Sequence, residues 1–264
     1  LIHYSIGYAP KLLSFIESLP DKKILIYHNI TPSHFFKDIN SEYENFTKLG
    51  RDELKKFRDI VDLALGVSEY NRQELLELGF KTSAVLPIII DFGKYNVGAD
   101  NKVLKRYDDD YVNILFVGRV SPNKKIEDVI KSFYYYQRIN SKSRLFLVGS
   151  REGMDRYSSY LDNLIKKLNI KNVYFTGHVS FDELIAYFKL ADIFLTMSEH
   201  EGFCVPLLES MFFEIPIIAY KSTAIPETLG DSGILVKEKN YIEVAEMMDL
   251  VVGSPELKTK LVTR

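Results

Sequence analysis

The chain has 264 residues, of which 46% are hydrophobic and 27% are charged, and its formal net charge is −2. This length and apolar content can bury a full core, in one large domain or in two smaller ones. A net charge near zero gives no long-range field to attract nucleic acid or acidic lipid. The single cysteine, Cys204, excludes an internal disulfide, and no apolar run approaches the ~18 residues of a membrane span. We therefore expect a cytoplasmic protein.

Both ends of the chain look incomplete. The first residue is Leu1 rather than methionine, and residues 1–4 already have the pattern of a strand. The last residues, 260–264, have the pattern of an unfinished helix. We therefore expect a fragment of a longer protein, whose N-terminal domain is truncated.

Short apolar runs alternate with a helical pattern in the first part of the chain. Further strands are predicted at residues 23–27, 63–67 and 84–90. A helix over residues 69–78 lies between the last two, with Ser68 as its N-cap and Gly79 at its end. Residues 91–111 are polar and lack periodicity, which favours a linker between domains.

The second part of the chain alternates more regularly. Strands are predicted at residues 112–117, 144–148, 173–175, 192–196 and 215–219. Helices are predicted at residues 126–139, 155–168, 181–189, 206–213 and 242–252. Ser180 and Glu183 form a capping box at the start of the third of these helices. Alternation of this kind predicts an α/β fold of two doubly wound, Rossmann-like domains, at residues 1–98 and 99–264.

The most informative segment of the chain is residues 198–209, which follows a predicted buried strand. Within it Glu201 and Glu209 stand eight positions apart, and Pro206 lies in the first turn of a predicted helix, where its missing N–H costs nothing. The first amides of this helix form a site for an anion; they belong to Cys204, Val205 and Leu207. Two carboxylates beside an anion suit a nucleotide sugar, which has hydroxyls on both sides of its phosphates. Alternatively, Glu209 stabilises its own helix start, which leaves Glu201 unexplained.

A second motif follows the predicted strand at residues 112–117. Gly118 and Arg119 leave the carboxyl end of this strand, and Lys124 follows five positions after the arginine. Ligands of doubly wound sheets bind beyond the carboxyl ends of the strands. Arg119 can fork onto two phosphate oxygens and Lys124 can act as a point charge, so both can bind a diphosphate. Taken alone, the same residues fit a solvated lysine pair and an arginine salt bridge.

These motifs resemble those of retaining glycosyltransferase family 4, whose members have the GT-B fold. Residues 201–209, Glu-Gly-Phe-x-x-Pro-x-x-Glu, look like the Glu-x7-Glu signature of that family. Residues 118–124 resemble its Gly-Arg-x4-Lys phosphate clamp, and residues 175–179 resemble its base-contacting loop. The resemblance covers residues 112–250 in the order that the family has them.

The resemblance implies a donor substrate that is a UDP-, GDP- or ADP-sugar, and it implies a role for each matching residue. Arg119 and Lys124 would bind the diphosphate, Glu209 would accept hydrogen bonds from the ribose hydroxyls, and Glu201 would hold hydroxyls of the donor sugar. The remaining donor-binding positions contribute through their backbone or flank the base: Gly118, Gly149, Gly177, His178, Val179, Gly202, Phe203, Cys204 and Val205. Many members of the family have glycine where this chain has Cys204, so its side chain receives no role.

One residue of the first part also matches the family. His28, at the carboxyl end of the strand predicted over residues 23–27, resembles the acceptor-domain histidine that faces the donor sugar. We therefore expect residues 1–98 to be the acceptor-side domain. A plain loop histidine is the alternative for His28, and a structural role is the alternative for His178.

The resemblance as a whole implies a retaining glycosyltransferase of polysaccharide biosynthesis, which moves a hexose onto a hydroxyl of a glycan or lipid-linked acceptor. It implies no cofactor and no metal, because the cations already supply positive charge. Residues 108–110, all aspartate, are interpreted as a solvated acidic run rather than a metal site. A lipid-linked acceptor would bring the protein to the inner face of the membrane. Alternatives are a GT-B relative such as an epimerase, and a non-catalytic subunit that binds nucleotide sugar.

Overall fold

A computed structural model describes residues 1–5, 8 and 10–262 of the chain. The chain divides into two compact units. The first unit comprises residues 1–89, 200–204 and 222–228, and the second comprises residues 90–199, 205–221 and 229–264. Within the described residues, no helix combines the length and the apolar character that crossing a lipid bilayer requires.

The first unit contains a parallel sheet with helices between its strands. The described strands are β1 (Ile2–Tyr4), β2 (Ile24–Tyr27), β3 (Leu63–Gly66) and β4 (Ser83–Val85), and they are paired in that order. The helices are α1 (Pro10–Ser18), α2 (Ser41–Phe57) and α3 (Glu69–Glu77). The strand predicted over residues 84–90 is wrong beyond Val85, where Pro87 has no N–H to donate to a ladder.

Local sequence signals start two of these helices, and apolar side chains pack them on the sheet. The side chain of Asn40 accepts a hydrogen bond from the amide of Tyr43 at the start of α2, and Ser68 caps α3 as predicted. Leu25, Phe57 and Leu75, from β2, α2 and α3, are fully buried in one cluster. The core of the first unit therefore lies between the sheet and these helices.

The second unit contains a larger parallel sheet. Its described strands are β5 (Val112–Val117), β6 (Ser143–Val148), β7 (Val173–Gly177), β8 (Ile193–Thr196), β9 (Ile217–Tyr220) and β10 (Ile234–Val236). The helices after residue 90 are α4 (Asn101–Arg106), α5 (Ile126–Ile139), α6 (Asp155–Leu168), α7 (Phe181–Leu190), α8 (Val205–Phe212), α9 (Ile225–Leu229), α10 (Tyr241–Gly253) and α11 (Pro255–Val262). Residues 225–228 of α9 belong to the first unit.

The strand order of the second sheet locates a ligand-binding edge. The order is β10-β9-β8-β5-β6-β7, which is the order of a doubly wound dinucleotide-binding fold counted from β5. The direction of winding reverses between β5 and β8, which pair in parallel through Ile114 and Ile193. Ligands of such sheets bind beyond the carboxyl ends of the strands at this reversal. The predicted α/β class with two parallel, Rossmann-like sheets is confirmed.

Several sequence signals of the second unit are found where they were predicted. Helices α5 and α6 have the predicted bounds, and α7 begins with the predicted capping box between Ser180 and Glu183. All four residues of β8 are buried, as expected for a strand covered on both faces. The continuous apolar runs of this unit therefore form the centre of its sheet.

Residues 91–111 are not an irregular linker. They form a 3-10 helix, Phe92–Asn96, and the helix α4, which Asp100 caps by accepting a hydrogen bond from Val103. Tyr107 is buried, with its ring centroid 4.7 Å from that of Phe146 on β6. The compact units divide between residues 89 and 90, ahead of the predicted domain boundary between 98 and 99, because this segment packs into the second unit.

Candidate functional site

Three of the predicted glycines meet at the carboxyl edge of the second sheet. The amide of Gly118 donates to Val148 O over 2.9 Å, and the amide of Gly149 donates to Gly177 O over 3.0 Å. A Cβ atom on Gly149 would lie 2.1 Å from Gly118 O, so only glycine fits there. The backbones that follow β5, β6 and β7 are therefore packed closely, at the edge where doubly wound sheets bind ligands.

Arg119 and Lys124 lie on the loop between β5 and α5, at the reversal of the sheet. The Nη2 atom of Arg119 donates to Glu152 O over 2.9 Å, which ties the arginine to the loop after β6. Lys124 ends a 3-10 helix, Pro122–Lys124, and Lys125 follows in the left-handed region with φ 50°. One continuous loop thus carries both predicted cations at the edge where doubly wound sheets bind ligands.

An ion-pair network holds the loops after β5 and β8 together, and the sequence did not reveal it. Lys239 Nζ lies 2.7 Å from Glu199 Oε1 and 2.7 Å from Asp128 Oδ2. Lys125 Nζ lies 3.3 Å from Glu199 Oε2, and the amide of Glu199 donates to Asn123 O over 2.8 Å. Lys125 is therefore paired with Glu199 and Glu127 and is not a purely solvated lysine.

The charge of Asp128 is stabilised inside this network. Burial raises the pKa of Asp128, but the hydrogen bonds from Lys239 and Tyr241 outweigh burial and bring that pKa below its ordinary value. The carboxylate is therefore ionised at neutral pH and neutralises lysine charge on one side of the loop.

Glu209 lies on α8 and is 7% exposed. Its Oε1 atom accepts a hydrogen bond from the hydroxyl of Tyr95 over 2.5 Å. Burial raises the pKa of Glu209, and the bond from Tyr95 opposes that rise. Val205, whose amide was predicted to face an anion, is the first residue of the same helix. Sequence reasoning missed Tyr95, because it lies 114 positions from Glu209 in a segment interpreted as a linker.

The predicted base-flanking residues follow β7. Gly177 is the last residue of that strand, His178 is exposed and Val179 is half-buried. Gly177 lies beside the backbone of Gly149 through the bond described above. The loop that begins at Gly177 therefore lies at the same sheet edge as Arg119, in the second unit.

The other predicted residues belong to the first unit, where His28 follows β2. The amide of His28 donates to Tyr4 O over 2.9 Å, and its Nε2 atom lies 2.9 Å from Nδ1 of His3. The two imidazole rings are stacked, with their centroids 5.1 Å apart. Burial lowers the pKa of His28, and the neighbouring charge of His3 lowers it further. His28 is therefore a neutral ring near pH 7, and its partner His3 was not predicted.

Gly202 packs directly against the backbone at His28. A Cβ atom on Gly202 would lie 2.7 Å from His28 O and 2.6 Å from Asn29 Cβ, so a larger residue would displace this backbone. Its carbonyl oxygen accepts hydrogen bonds from Ser68 Oγ, over 2.8 Å, and from Asn71 Nδ2, over 3.1 Å. The structure thus brings the Glu201-Gly202 pair and His28 together in the first unit.

Glu201 and its neighbours are fixed through their backbone. The Glu201 side chain is buried, and its amide donates to Thr223 Oγ1 over 2.9 Å. Thr223 has φ 42°, a left-handed conformation that is unusual for a β-branched residue. The carbonyl of Phe203 accepts from Thr228 Oγ1 over 2.6 Å. Two threonines that the sequence did not single out therefore position the predicted sugar-binding segment.

A network of buried polar side chains packs beside the segment of Glu201 and Gly202. Asn29 Nδ2 donates to Asn71 Oδ1 over 2.7 Å and to Glu74 Oε2 over 2.9 Å, and Asn29 Oδ1 lies 2.6 Å from His200 Nε2. Arg51 pairs with Glu74 and donates to Ile30 O over 2.6 Å. Through its bond to Gly202 O, Asn71 connects this network to the backbone of the segment.

Cys204 has φ 72° and is buried. This is the left-handed region, which costs a residue with a Cβ atom about 1–2 kcal/mol relative to the right-handed region and costs glycine little. The glycine that resembling sequences have at this position would adopt the conformation without strain. Cys204 therefore carries a side chain at a position where the left-handed backbone conformation favours glycine.

Comparisons with known proteins bear on the family and the fold of the chain. Residues 99–264 match the sequence model of the family described as glycosyl transferases group 1. The chain is 27% identical over 248 residues to an uncharacterized glycosyltransferase of Methanocaldococcus jannaschii, MJ1069, covering 90% of this chain and 62% of the relative. It is 24% identical over 196 residues to O-antigen chain mannosyltransferase B of Escherichia coli, covering 70% and 50%. HepE of Anabaena, solved with UDP and glucose, matches with a TM-score of 0.71 and 17% identity, covering 91% of this chain and 65% of HepE.

The chain spans less than two thirds of the length of each of these proteins. The structural likeness establishes the fold as two parallel-sheet, Rossmann-like units of the GT-B type. The family match covers more than half of the chain and includes Arg119, Lys124 and Glu209. The chain therefore belongs to the glycosyl transferases group 1 family.

Proposed function

We propose that this protein is a retaining glycosyltransferase of family 4, which moves a hexose from a nucleotide diphosphate onto a hydroxyl acceptor. The observation that carries the proposal is the packing of three glycine backbones beside Arg119 and Lys124 at the reversal of the second sheet. Family membership supports the transfer of a sugar. HepE was solved with UDP and glucose, which supports a nucleotide-sugar donor.

The second unit would hold the nucleotide. Arg119 and Lys124 bind the diphosphate, and the amide of Val205 at the start of α8 adds positive potential. Departure of the nucleotide leaves new negative charge on the diphosphate, so these groups bind the transition state more tightly than the ground state. Loss of one such group costs about 3 kcal/mol of transition-state stabilisation. Glu209 accepts from the ribose hydroxyls, and the loop of Gly177, His178 and Val179 flanks the base.

The first unit would contribute the groups that contact the sugar. Glu201 and the amides of Gly202 and Phe203 bind hydroxyls of the hexose, and the backbone contacts of this segment hold it in one conformation. His28 is neutral near pH 7 and can donate or accept a hydrogen bond at the sugar. The pattern of fixed backbone beside a buried carboxylate supports recognition of several hydroxyls at once.

The reaction we propose proceeds on one face of the sugar. The acceptor oxygen forms a bond with the anomeric carbon on the same side from which the phosphate oxygen leaves. The acceptor's proton passes to that leaving phosphate oxygen, so the configuration at the anomeric carbon is retained. Arg119 and Lys124 supply the positive charge that this step requires, and we therefore propose that transfer proceeds without a metal or a cofactor.

The acceptor is proposed to be a glycan or a lipid-linked molecule in the cytoplasm or at the inner face of the membrane. The relative of E. coli is named as an O-antigen chain mannosyltransferase, which supports a role in polysaccharide biosynthesis. The name of that relative also supports a hexose as the transferred sugar.

Thermal unfolding of this chain with UDP, GDP or ADP, in EDTA, tests nucleotide binding. A ligand at about a hundred times its dissociation constant adds ~2.7 kcal/mol to the free energy of unfolding, which is a clear rise in midpoint. We expect a rise with one nucleotide, and its loss in the Arg119→Ala/Glu209→Ala variant. Binding without transfer or hydrolysis by the full-length protein would instead support a non-catalytic subunit, and no binding would contradict the proposal.

A further inference from the structure

The contact between Tyr95 and Glu209 joins two segments of the second unit. The phenol oxygen lies 2.5 Å from Glu209 Oε1, and an ionised carboxylate can only accept, so the tyrosine donates. Tyr95 lies on the 3-10 helix Phe92–Asn96, whose start is fixed by Asp91 accepting from the amide of Gly93 over 3.0 Å. The donor is therefore a side chain on an ordered element.

Aromatic rings from three elements hold the Tyr95 ring in place. The ring centroid of Tyr95 lies 5.0 Å from that of Phe181 on α7 and 5.6 Å from that of Phe212 on α8. Phe92 stacks on Phe212 with 4.8 Å between centroids and an interplanar angle of 8°. Phe213 contacts the Tyr95 ring at 6.0 Å. A tyrosine enclosed on these sides has little freedom, so the direction of its hydroxyl is fixed.

The Tyr95 hydroxyl donates to one oxygen of the Glu209 carboxylate, and the other oxygen can still accept hydrogen bonds. A carboxylate has about four acceptor positions on its two oxygens, and a phenol proton occupies one of them. The neighbouring hydroxyls of a ribose need two acceptor positions that point in the same direction. Fixing Oε1 sets the plane of the carboxylate, and this plane decides where Oε2 points.

We propose that Tyr95 is the positioning residue for Glu209: its hydroxyl holds Oε1 so that the carboxylate accepts hydrogen bonds from the ribose of the bound nucleotide. This inference rests on the proposed function, and it names the group that gives Glu209 its orientation. Removal of the hydroxyl alone leaves the aromatic packing intact but frees the carboxylate to rotate. Nucleotides then lose the part of their affinity that depends on ribose hydroxyls.

Calorimetric titration of the full chain tests this with Tyr95→Phe, which keeps the ring. UDP, GDP and ADP are titrated first, and the nucleotide that binds is then compared with its 2′,3′-dideoxy analogue. We expect Tyr95→Phe to weaken binding of the ribonucleotide about 10- to 100-fold, the effect of one lost charge-assisted hydrogen bond, and to leave the dideoxy analogue unchanged. Tyr160→Phe, at an exposed tyrosine on α6, is the matched control.

A double-mutant cycle separates the proposed contact from a general loss of packing. In a Glu209→Ala background the Tyr95 hydroxyl has no carboxylate to orient, so Tyr95→Phe should produce no further loss of ribonucleotide affinity. Full additivity of the two substitutions would overturn the inference, and so would equal weakening of both nucleotides. Tighter binding by Tyr95→Phe would show instead that the hydroxyl competes with ribose. If the unsubstituted chain binds none of the diphosphates, the proposed function itself fails.

Discussion

The two units hold their candidate residues by different means. In the second unit Arg119 and Lys124 lie on one continuous loop after β5, and their side chains are half-buried at the sheet edge. In the first unit the Glu201-Gly202 pair is enclosed by β2, α3 and residues 222–228, and its backbone is bound by Ser68, Asn71 and Thr223. A charged side chain on a loop can be removed without loss of packing. An enclosed backbone segment cannot be altered without disturbing the residues packed around it. Substitutions in the second unit should therefore change ligand binding without changing stability. Substitutions in the first unit should change both.

The largest effect is expected for Arg119→Ala in the second unit. Loss of the guanidinium should lower kcat/KM of the full-length transferase about 100-fold, because it removes charge that binds the leaving diphosphate. The free energy of unfolding should change by less than about 0.5 kcal/mol, as for other surface substitutions. Steady-state kinetics and urea unfolding measure the two effects.

Arg138→Ala, at an exposed arginine in the last turn of α5, is the matched control and should leave both quantities unchanged. A fully active Arg119→Ala protein would show that Arg119 does not bind the leaving diphosphate. A protein that has lost several kcal/mol of stability would show that Arg119 acts through its bond to Glu152 instead.

Gly202→Ala in the first unit should lower stability and activity together. The added Cβ would lie 2.6 Å from Asn29 Cβ and 2.7 Å from His28 O, so backbone must move. We expect a loss of about 2 kcal/mol in the free energy of unfolding, in the range of overpacked cores, with a lower melting midpoint. Gly98→Ala, where a Cβ meets nothing within 4 Å, is the control and should have an unchanged midpoint. An unchanged midpoint in Gly202→Ala as well would mean that the contact with His28 is loose.

The difference between the two units also explains which features could be predicted from the sequence. Helix α5 and the edge after β5 follow from apolar periodicity and from Gly118-Arg119, which are local signals. The hydrogen bonds that join Gly202 to Asn71 and Glu201 to Thr223 connect positions far apart in the chain, so no local pattern specifies them. The helix α4 was missed because it is short and polar, and its only marker is the Asp100 cap.

The strain at Cys204 can be measured by comparing two substitutions that both remove the sulfur. Cys204→Gly should be more stable than Cys204→Ala by about 1 kcal/mol, because alanine retains the cost of the left-handed conformation at φ 72°. The opposite order is expected at Glu246, an exposed position in α10, where alanine is favoured over glycine by about 1 kcal/mol. Urea unfolding of the four variants provides the comparison, and equal stability of the Cys204 pair would show that the backbone there relaxes.

The smallest effect is expected in the titration of His28. Burial and then the charge of His3 lower the pKa of His28 below its ordinary value of 6.5. The folded state therefore binds a proton less readily than the unfolded state, and stability falls as the pH drops from 6.5 toward that lowered pKa. NMR titration of the His28 ring should give a midpoint below 6.5, and His3→Ala should raise it only part of the way, because burial is the larger cause. In His28→Asn the loss of unfolding free energy over this pH window should be smaller than in the unsubstituted chain. A His28 midpoint at or above 6.5 would mean that the stacked histidine pair does not form, and the histidine would then be a plain loop residue.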